Sequence, residues 1–134
     1  MAEWEAPALV LAVRAHGEGD TIATLLTEAH GSHRGLARGG ASRAGAATWQ
    51  AGNLVQARWV ARLPEQLGTF SAELVHATGA AVMEDALRLG LLRAACAVAE
   101  GALPEREPHP AVFGDLVRLV AGLGEEGSPA ALIR

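Results

Sequence analysis

The sequence predicts a small β-barrel followed by α-helices, and three observations support this fold class. Roughly the first 78 residues contain five short apolar or alternating runs, which are separated by glycine-containing turns. After Gly79 the hydrophobic period changes from two residues to the spacing of a helix. Hydrophobic residues make up 50% of the 134 residues, enough to bury a core. Because closure of a sheet removes its exposed edges, five short strands favour a closed or nearly closed barrel.

Each strand is predicted from its own pattern. The first, "PALVLAV", is almost continuously apolar, and the turn "HGEGD" separates it from the second, "TIATLLT", which contains β-branched residues. The third, "SHRGLARG", contains glycines that suit a bend or a close backbone approach. The fourth, "LVQARWVARL", and the fifth, "GTFSAELVHA", alternate. In the fourth, one face carries Val55, Ala57, Trp59, Ala61 and Leu63, and the other carries Gln56, Arg58, Val60 and Arg62.

Two helices are predicted after the strands. Over residues 80–102 an apolar stripe at helical spacing consists of Met83, Leu87, Leu91, Ala95 and Val98. After the proline-rich break "LPEREPHP", Pro110 suits the first position of a second helix, where its missing N–H has no cost. The apolar residues of that helix are Phe113, Leu116, Val117, Val120 and Leu123.

The last residues predict the start of a third helix. Ser128 is a good cap residue and Pro129 a good first helical residue, and only "AALIR" follows them. We therefore expect residues 1–79 to form a barrel domain and residues 80–134 the start of a helical domain. On this interpretation the sequence is the N-terminal part of a longer protein.

Positive charge is concentrated in one segment of an acidic chain. Residues 29–64 contain no Asp or Glu and five arginines, which are Arg34, Arg38, Arg43, Arg58 and Arg62. The segment carries +5 with histidine neutral, so the rest of the chain carries −9 to give the total of −4. Such asymmetry indicates an anionic partner. The alternative is that these arginines form a solvated face.

Several other classes of protein are disfavoured. The N-terminus "MAEWEAP" carries acids and lacks the basic region of a signal peptide, and the apolar runs are shorter than a membrane span. The single cysteine, Cys96, favours a reducing cytoplasm and is expected to be a core residue. His30 and His33 have no neighbouring acid or cysteine that would complete a metal site. Nucleotide-binding and catalytic motifs are missing, so the sequence predicts neither an enzyme nor a cofactor.

Two long segments carry a resemblance to a known family. They are "LVLAVRAHGEGDTIATLLTEAHGSHRGLARGGASR" and "WQAGNLVQARWVARLPEQLGTFSAEL". Their pattern of an apolar strand, a small turn, a second strand and a basic Gly/Arg run resembles the bacterial recombination mediator family RecO. The resemblance implies an OB-fold over residues 1–79 and the opening helices of a helical domain over residues 80–134.

The resemblance also implies a function. Proteins of this family are non-enzymatic mediators of recombinational repair that bind single- and double-stranded DNA and anneal complementary strands. Their partners would be RecR, the single-stranded-DNA-binding protein and RecA. The rival interpretation of this sequence is an OB-like barrel that serves only as a protein-interaction module, with its arginines solvated.

An OB-fold groove binds a nucleic-acid strand through arginines on phosphates and aromatic rings under bases. The expected phosphate contacts are Arg34, Arg38, Arg43, Arg58 and Arg62. Glycines in "GLARGGASRAG", residues 35–45, are expected to keep this loop adaptable and to let its backbone approach a phosphate. Trp49 is the best stacking candidate, and its alternative role is packing over the barrel mouth. Trp59 and Phe70 are expected in the core, and Trp4 as a lid on the first strand.

Overall fold

The structure is a computed structural model that describes residues 1–125, so the predicted helix start at Ser128 and Pro129 lies outside the described residues. The strands are β1 (Ala2–His16), β2 (Asp20–Thr27), β3 (Gly31–Ala37), β4 (Leu54–Ala61) and β5 (Thr69–His76). The helices of this part of the chain are α1 (Arg43–Thr48), α2 (Thr78–Val82), α3 (Ala86–Ala102) and α4 (Pro110–Leu123).

The five strands form one sheet that closes in a ring in the order β1-β2-β3-β5-β4. All neighbours are antiparallel except β3 and β5, which are parallel. The long β1 closes the ring, because its first half pairs with β4 and its second half with β2. The register shifts between Val10 and Ala12, close to the point where β1 changes partner. This arrangement confirms the predicted OB-type sheet followed by helices.

The ring interior is filled by the inward-facing residues of every strand. Large aromatic side chains, Trp59 and Phe70, lie beside alanines that leave room for them, among them Ala37 and Ala57. The alternation predicted for the fourth strand is confirmed from Val55 to Ala61. The strand ends at Ala61, however, so Leu63 lies in the following connection and is 52% exposed instead of facing inward.

A second core lies outside the ring, between the sheet and the helices. The outward-facing Leu9, Leu11 and Leu26 pack against residues of α2, α3 and α4. The helical members are Val82, Leu92, Cys96, Ala99, Val120 and Leu123. Because β1 is buried on both sides in this region, its sequence is continuously apolar rather than alternating.

The first predicted helix is divided, and its predicted apolar stripe is not the side that packs against the sheet. The chain turns at residues 83–85 between α2 and α3, and the Asp85 side chain caps α3 by accepting a hydrogen bond from the Arg88 N–H at 3.1 Å. Met83, Leu87 and Val98 are more than half exposed. The buried stripe is Leu92, Cys96 and Ala99. The alanine-rich sequence of α3 offers two apolar stripes at helical spacing, and periodicity alone does not choose between them.

The exposed apolar residues of α3 lie beside apolar residues of α4. Together the two helices line an apolar groove of about 870 Å³. Its walls include Leu91, Ala95, Val98, Val112, Leu116 and Leu119. Over residues 1–125, no helix has the length and hydropathy needed to cross a bilayer.

The position of Cys96 generates a prediction about its reactivity. Its side chain is 1% exposed and its Sγ lies 3.8 Å from the Val10 carbonyl oxygen, and burial raises its pKa to about 11. Because the thiolate is the reactive form, the native protein should resist a thiol reagent at pH 8 and react only as it unfolds in urea. An Ala97→Cys variant, whose new thiol lies on the exposed side of α3, should react at once. Rapid labelling of Cys96 in the native protein would contradict this placement.

Candidate nucleic-acid interface

The basic loop of residues 35–45 is an ordered connection and not a flexible one. It contains the end of β3, a turn and the start of α1, which Ser42 caps by accepting a hydrogen bond from the Gly45 N–H at 3.0 Å. The loop is attached to the β1–β2 turn, because the Gly39 N–H donates to Asp20 Oδ1 at 2.8 Å. The Ala41 N–H also donates to the Gly19 carbonyl oxygen at 3.0 Å.

The glycines of this loop serve close packing. A Cβ on Gly40 would lie 2.1 Å from Thr21 Oγ1, and one on Gly45 would lie 2.2 Å from the Gly39 carbonyl oxygen. Gly39 has a φ of 70°, a conformation that favours glycine. These contacts restrict the conformations of the loop, which the sequence-based expectation of an adaptable loop did not include.

Two of the predicted phosphate contacts project from this loop. Arg38 follows β3 directly and Arg43 is the first residue of α1, and both are exposed. Among residues 1–125, neither forms an ion pair. The loop therefore presents two exposed arginines that form no ion pair among the described residues, although the Asp20 carboxylate lies against its backbone.

Arg34 is already paired with an acid. It lies on the outer face of β3, and its Nη1 is 3.2 Å from Oε1 of Glu105 in the connection between α3 and α4. Both side chains are at least half exposed, so the pair is screened by solvent and contributes about 1 kcal/mol at most. A phosphate that contacted Arg34 would have to displace this carboxylate.

Arg58 lies in an acidic environment. Its Nη2 is 2.6 Å from Oε2 of Glu3 on the neighbouring β1. Hydrogen bonding and charge attraction from Glu3, with a smaller contribution from Glu5, raise the pKa of Arg58. The shallow depression that Arg58 lines also includes Glu5 and Glu73. Acids that are distant in sequence thus neutralise this part of the basic segment.

Arg62 is separated from the basic loop. The predicted strand would have placed it beside Arg58, but β4 ends at Ala61 and Arg62 begins the connection to β5. Since β3 is parallel to β5 and β5 is antiparallel to β4, the C-terminal ends of β3 and β4 point to opposite ends of the sheet. The structure therefore does not bring Arg62 together with Arg38 and Arg43.

Trp49 packs inside the protein. It is 9% exposed and belongs to the ring core, where its ring centroid lies 6.1 Å from that of Phe70. Of its two predicted roles, packing is the one this position fits, because a buried indole has no face available to a base.

A cluster of aromatic and histidine rings occupies the other part of the ring interior. Trp4 stacks on His30 at a centroid distance of 4.4 Å and lies 6.2 Å from Trp59. His33 lies 4.7 Å from Trp59 and is 3% exposed, and its Nδ1–H donates to the Arg34 carbonyl oxygen at 3.1 Å. The inward placement of His33 was available from the sequence, because every second residue of the third strand from Gly31 to Ala37 faces inward.

Among the described residues, the histidines of this cluster are not joined by other potential metal ligands. In the part of the chain that the structure describes, no three His, Cys, Asp or Glu side chains are grouped as metal ligands. Burial, with the nearby charge of Arg106, lowers the pKa of His33 to about 4. Burial also lowers the pKa of His30. Both rings thus contribute to packing as neutral groups at pH 7.

The ring order and the helices that follow it define an OB-type protein. Residues 1–78 match the family model described as "Recombination protein O N terminal", so the chain belongs to the RecO family. This is a family of DNA repair and recombination proteins and not of enzymes.

Curated relatives agree with this assignment. The chain is 59% identical over 133 residues to the DNA repair protein RecO of Acidiphilium cryptum, an alignment that covers 98% of this chain and 53% of the relative. It is 52% identical over 138 residues to the same-named protein of Gluconacetobacter diazotrophicus, covering 98% of this chain and 54% of the relative. For Rhodospirillum rubrum the identity is 42% over 133 residues, covering 99% and 53%. The chain spans about half the length of the curated relatives it matches.

The buried His33 predicts a pH dependence of stability. An ordinary histidine has a pKa of 6.5, and His33 has a pKa of about 4 when the chain is folded. Stability is therefore complete above pH 6.5 and is lost as the pH falls towards 4, because the unfolded chain takes up the proton first. The loss should be about 2 kcal/mol between pH 7 and pH 5 and about 3 kcal/mol once the pH is below 4. Urea unfolding at pH 7, 6 and 5 measures it, and a His33→Asn variant, which keeps a donor near Nδ1, should show a shallower pH dependence. Equal slopes in both proteins would contradict the assignment to His33.

Proposed function

We propose that this chain binds DNA without sequence preference in recombinational repair, and that Arg38 and Arg43 are its principal phosphate contacts. Residues 1–79 would form the nucleic-acid-binding domain, and residues 80–134 the start of a helical domain. Both single- and double-stranded DNA are ligands on this proposal, because phosphates are common to both.

One observation carries the proposal. Arg38 and Arg43 are the two arginines of the predicted site that project from a fixed loop and form no ion pair among the described residues. An arginine guanidinium presents a planar set of donors that matches a phosphate. A loop that is already ordered loses little conformational entropy when it binds.

The wider role rests on membership of the RecO family. We propose that the protein acts in the cytoplasm as a recombination mediator, anneals complementary strands, and promotes RecA loading together with RecR and the single-stranded-DNA-binding protein. It would need no cofactor and catalyse no reaction, because annealing requires only that two strands are held close together with their charges screened.

A second candidate function is supported by the helical part. The groove between α3 and α4 is apolar and open, and such surfaces mark protein-interaction sites. The pairing of Arg34 and Arg58 with acids also reduces the charge available to DNA. On this alternative the closed sheet serves as an interaction module without direct DNA binding.

Charge reversal distinguishes the two functions. The double variant Arg38→Glu/Arg43→Glu should nearly abolish binding to a labelled single-stranded oligonucleotide in an anisotropy titration, because repulsion replaces attraction. Each single change to alanine should weaken binding by about 0.5–1.5 kcal/mol. The variant Arg93→Glu/Arg118→Glu changes the net charge equally on the helices and should bind nearly as well as the parent.

Circular dichroism must show that both double variants are folded. If the folded Arg38→Glu/Arg43→Glu protein binds as tightly as the parent, the loop is only a solvated connection and the interaction-module alternative is favoured.

The salt dependence of DNA affinity measures the number of phosphate contacts. Each contact contributes about −0.7 to the slope of log affinity against log salt on single strands. Two contacts, from Arg38 and Arg43, predict a slope of about −1.4, whereas all five predicted arginines would give about −3.5. A flat dependence would exclude phosphate contacts, and a slope near the higher value would show that Arg34, Arg58 and Arg62 also bind.

A further inference from the structure

The ring has a gap beside β3, and the chain fills this gap itself. β3 pairs with β5 only through Leu36–Thr69 and Ala37–Phe70, which leaves the edge of residues 31–35 free on that side. Residues 104–107, between α3 and α4, run along this edge and are called the strap here. Glu105 forms a parallel bridge with Ser32, and the Arg106 N–H donates to the Ser32 carbonyl oxygen at 2.7 Å.

The strap also contacts the connection between β4 and β5. The Arg106 guanidinium donates to the carbonyl oxygens of Pro64 and Gln66, the latter at 2.7 Å. The same guanidinium lies over the Trp59 indole, with its Cζ 5.2 Å from the ring centroid. The strap therefore spans the space between β3 and the β4–β5 connection.

That space borders the face on which an OB-fold places an oligonucleotide. Ligands of this fold lie across strands 2 and 3, between the first hairpin loop and the loop that joins strands 4 and 5. In this protein the strap lies at the end of that face next to the β4–β5 connection. The Glu105 carboxylate is paired with Arg34, the group that a phosphate would contact, and the Arg106 guanidinium lies over Trp59 of the ring core.

The backbone of the strap is held in an uncommon conformation. Arg106 has a φ of 59°, and it is the one residue other than glycine with a positive φ among residues 1–125. This conformation is unfavourable for a side chain with a Cβ and persists where surrounding contacts impose it. Loss of those contacts would therefore release strain in the strap, which favours its displacement by a competing ligand.

We propose that the strap is a built-in competitor of single-stranded nucleic acid for the space between β3 and the β4–β5 connection. A phosphate reaches Arg34 only when Glu105 leaves it. This inference rests on the proposed function, because it assumes that the protein binds nucleic acid. It adds a binding step beyond the basic loop, in which Arg34 changes its partner from a carboxylate to a phosphate.

A pair of strap variants tests the proposal. Glu105→Gln removes the carboxylate from Arg34 and should strengthen binding of a labelled oligo-dT at low salt about two- to fivefold, the range expected for an exposed ion pair. Glu107→Gln is the matched control, because it removes the same charge from the same strap, and Glu107 Oε1 lies 3.8 Å from His109 Nε2 instead of against Arg34. It should change affinity much less. Equal gains in the two variants would mean that only net charge matters and would overturn the proposal.

A third variant identifies the group that is released. In the Glu105→Gln protein, the additional change Arg34→Gln should remove the gain, whereas in the parent protein Arg34→Gln should have little effect. If Arg34→Gln weakens binding equally in both backgrounds, Arg34 already contacts DNA and the strap does not compete with it. Failure of the proposed function can be told apart from failure of the strap proposal, because without DNA binding the parent protein itself would show no salt-dependent binding.

Hydrogen exchange provides a measurement that does not depend on affinity. The Arg106 amide is bonded to Ser32 in the free protein, so amide exchange at residues 105–107 should become faster when oligo-dT is bound. Unchanged or slower exchange with DNA bound would show that the strap stays in place, and would overturn the proposal.

Discussion

The middle of the first strand, residues 8–11, is buried on both of its faces, and the rest of the structure depends on this. Ala8 and Val10 point into the ring, while Leu9 and Leu11 point out of it and form the surface on which the helices pack. The register shift between Val10 and Ala12 lets one strand pair with β4 and then with β2. Neither the ring nor the helices could bury these side chains alone, so the two parts stabilise each other.

The strap is the second connection between these parts. It lies beside β3, across the ring from β1. β1 joins the helices through apolar packing, whereas Arg106 joins them to β3 and to the β4–β5 connection through hydrogen bonds. A Cβ on Gly31 would lie 2.2 Å from the Glu107 carbonyl oxygen, so the close approach of the strap requires glycine at this position. The helical part thus shapes the face of the sheet where ligands of OB-folds bind.

Local patterns in the sequence were sufficient for the number and order of the strands, because alternation and glycine-bounded turns are set by neighbouring residues. They did not give the full length of β1, Ala2–His16, or the end of β4 at Ala61. They were insufficient for α3, where the alanine-rich sequence fits two stripes, and for α1, whose six residues contain three alanines and a glycine but no apolar stripe. The charge of the site could not be derived from the segment alone. Arg34 and Arg58 are neutralised by Glu105 and Glu3, which only the fold brings near.

The hydrogen bonds of the basic loop determine how it can recognise an anion. The N–H groups of residues 39–42 all donate within the protein, to Asp20, Ala37, Gly19 and Gly39 in turn. The loop is therefore not a backbone-amide nest of the kind that holds phosphates in other proteins. On the proposed function, the guanidinium groups of Arg38 and Arg43 are the charged groups of this loop that would contact a phosphate. Long arginine side chains can reach the phosphates of nucleic-acid backbones of different shapes without contacting a base edge. A loop built in this way suits binding that depends on salt and not on sequence.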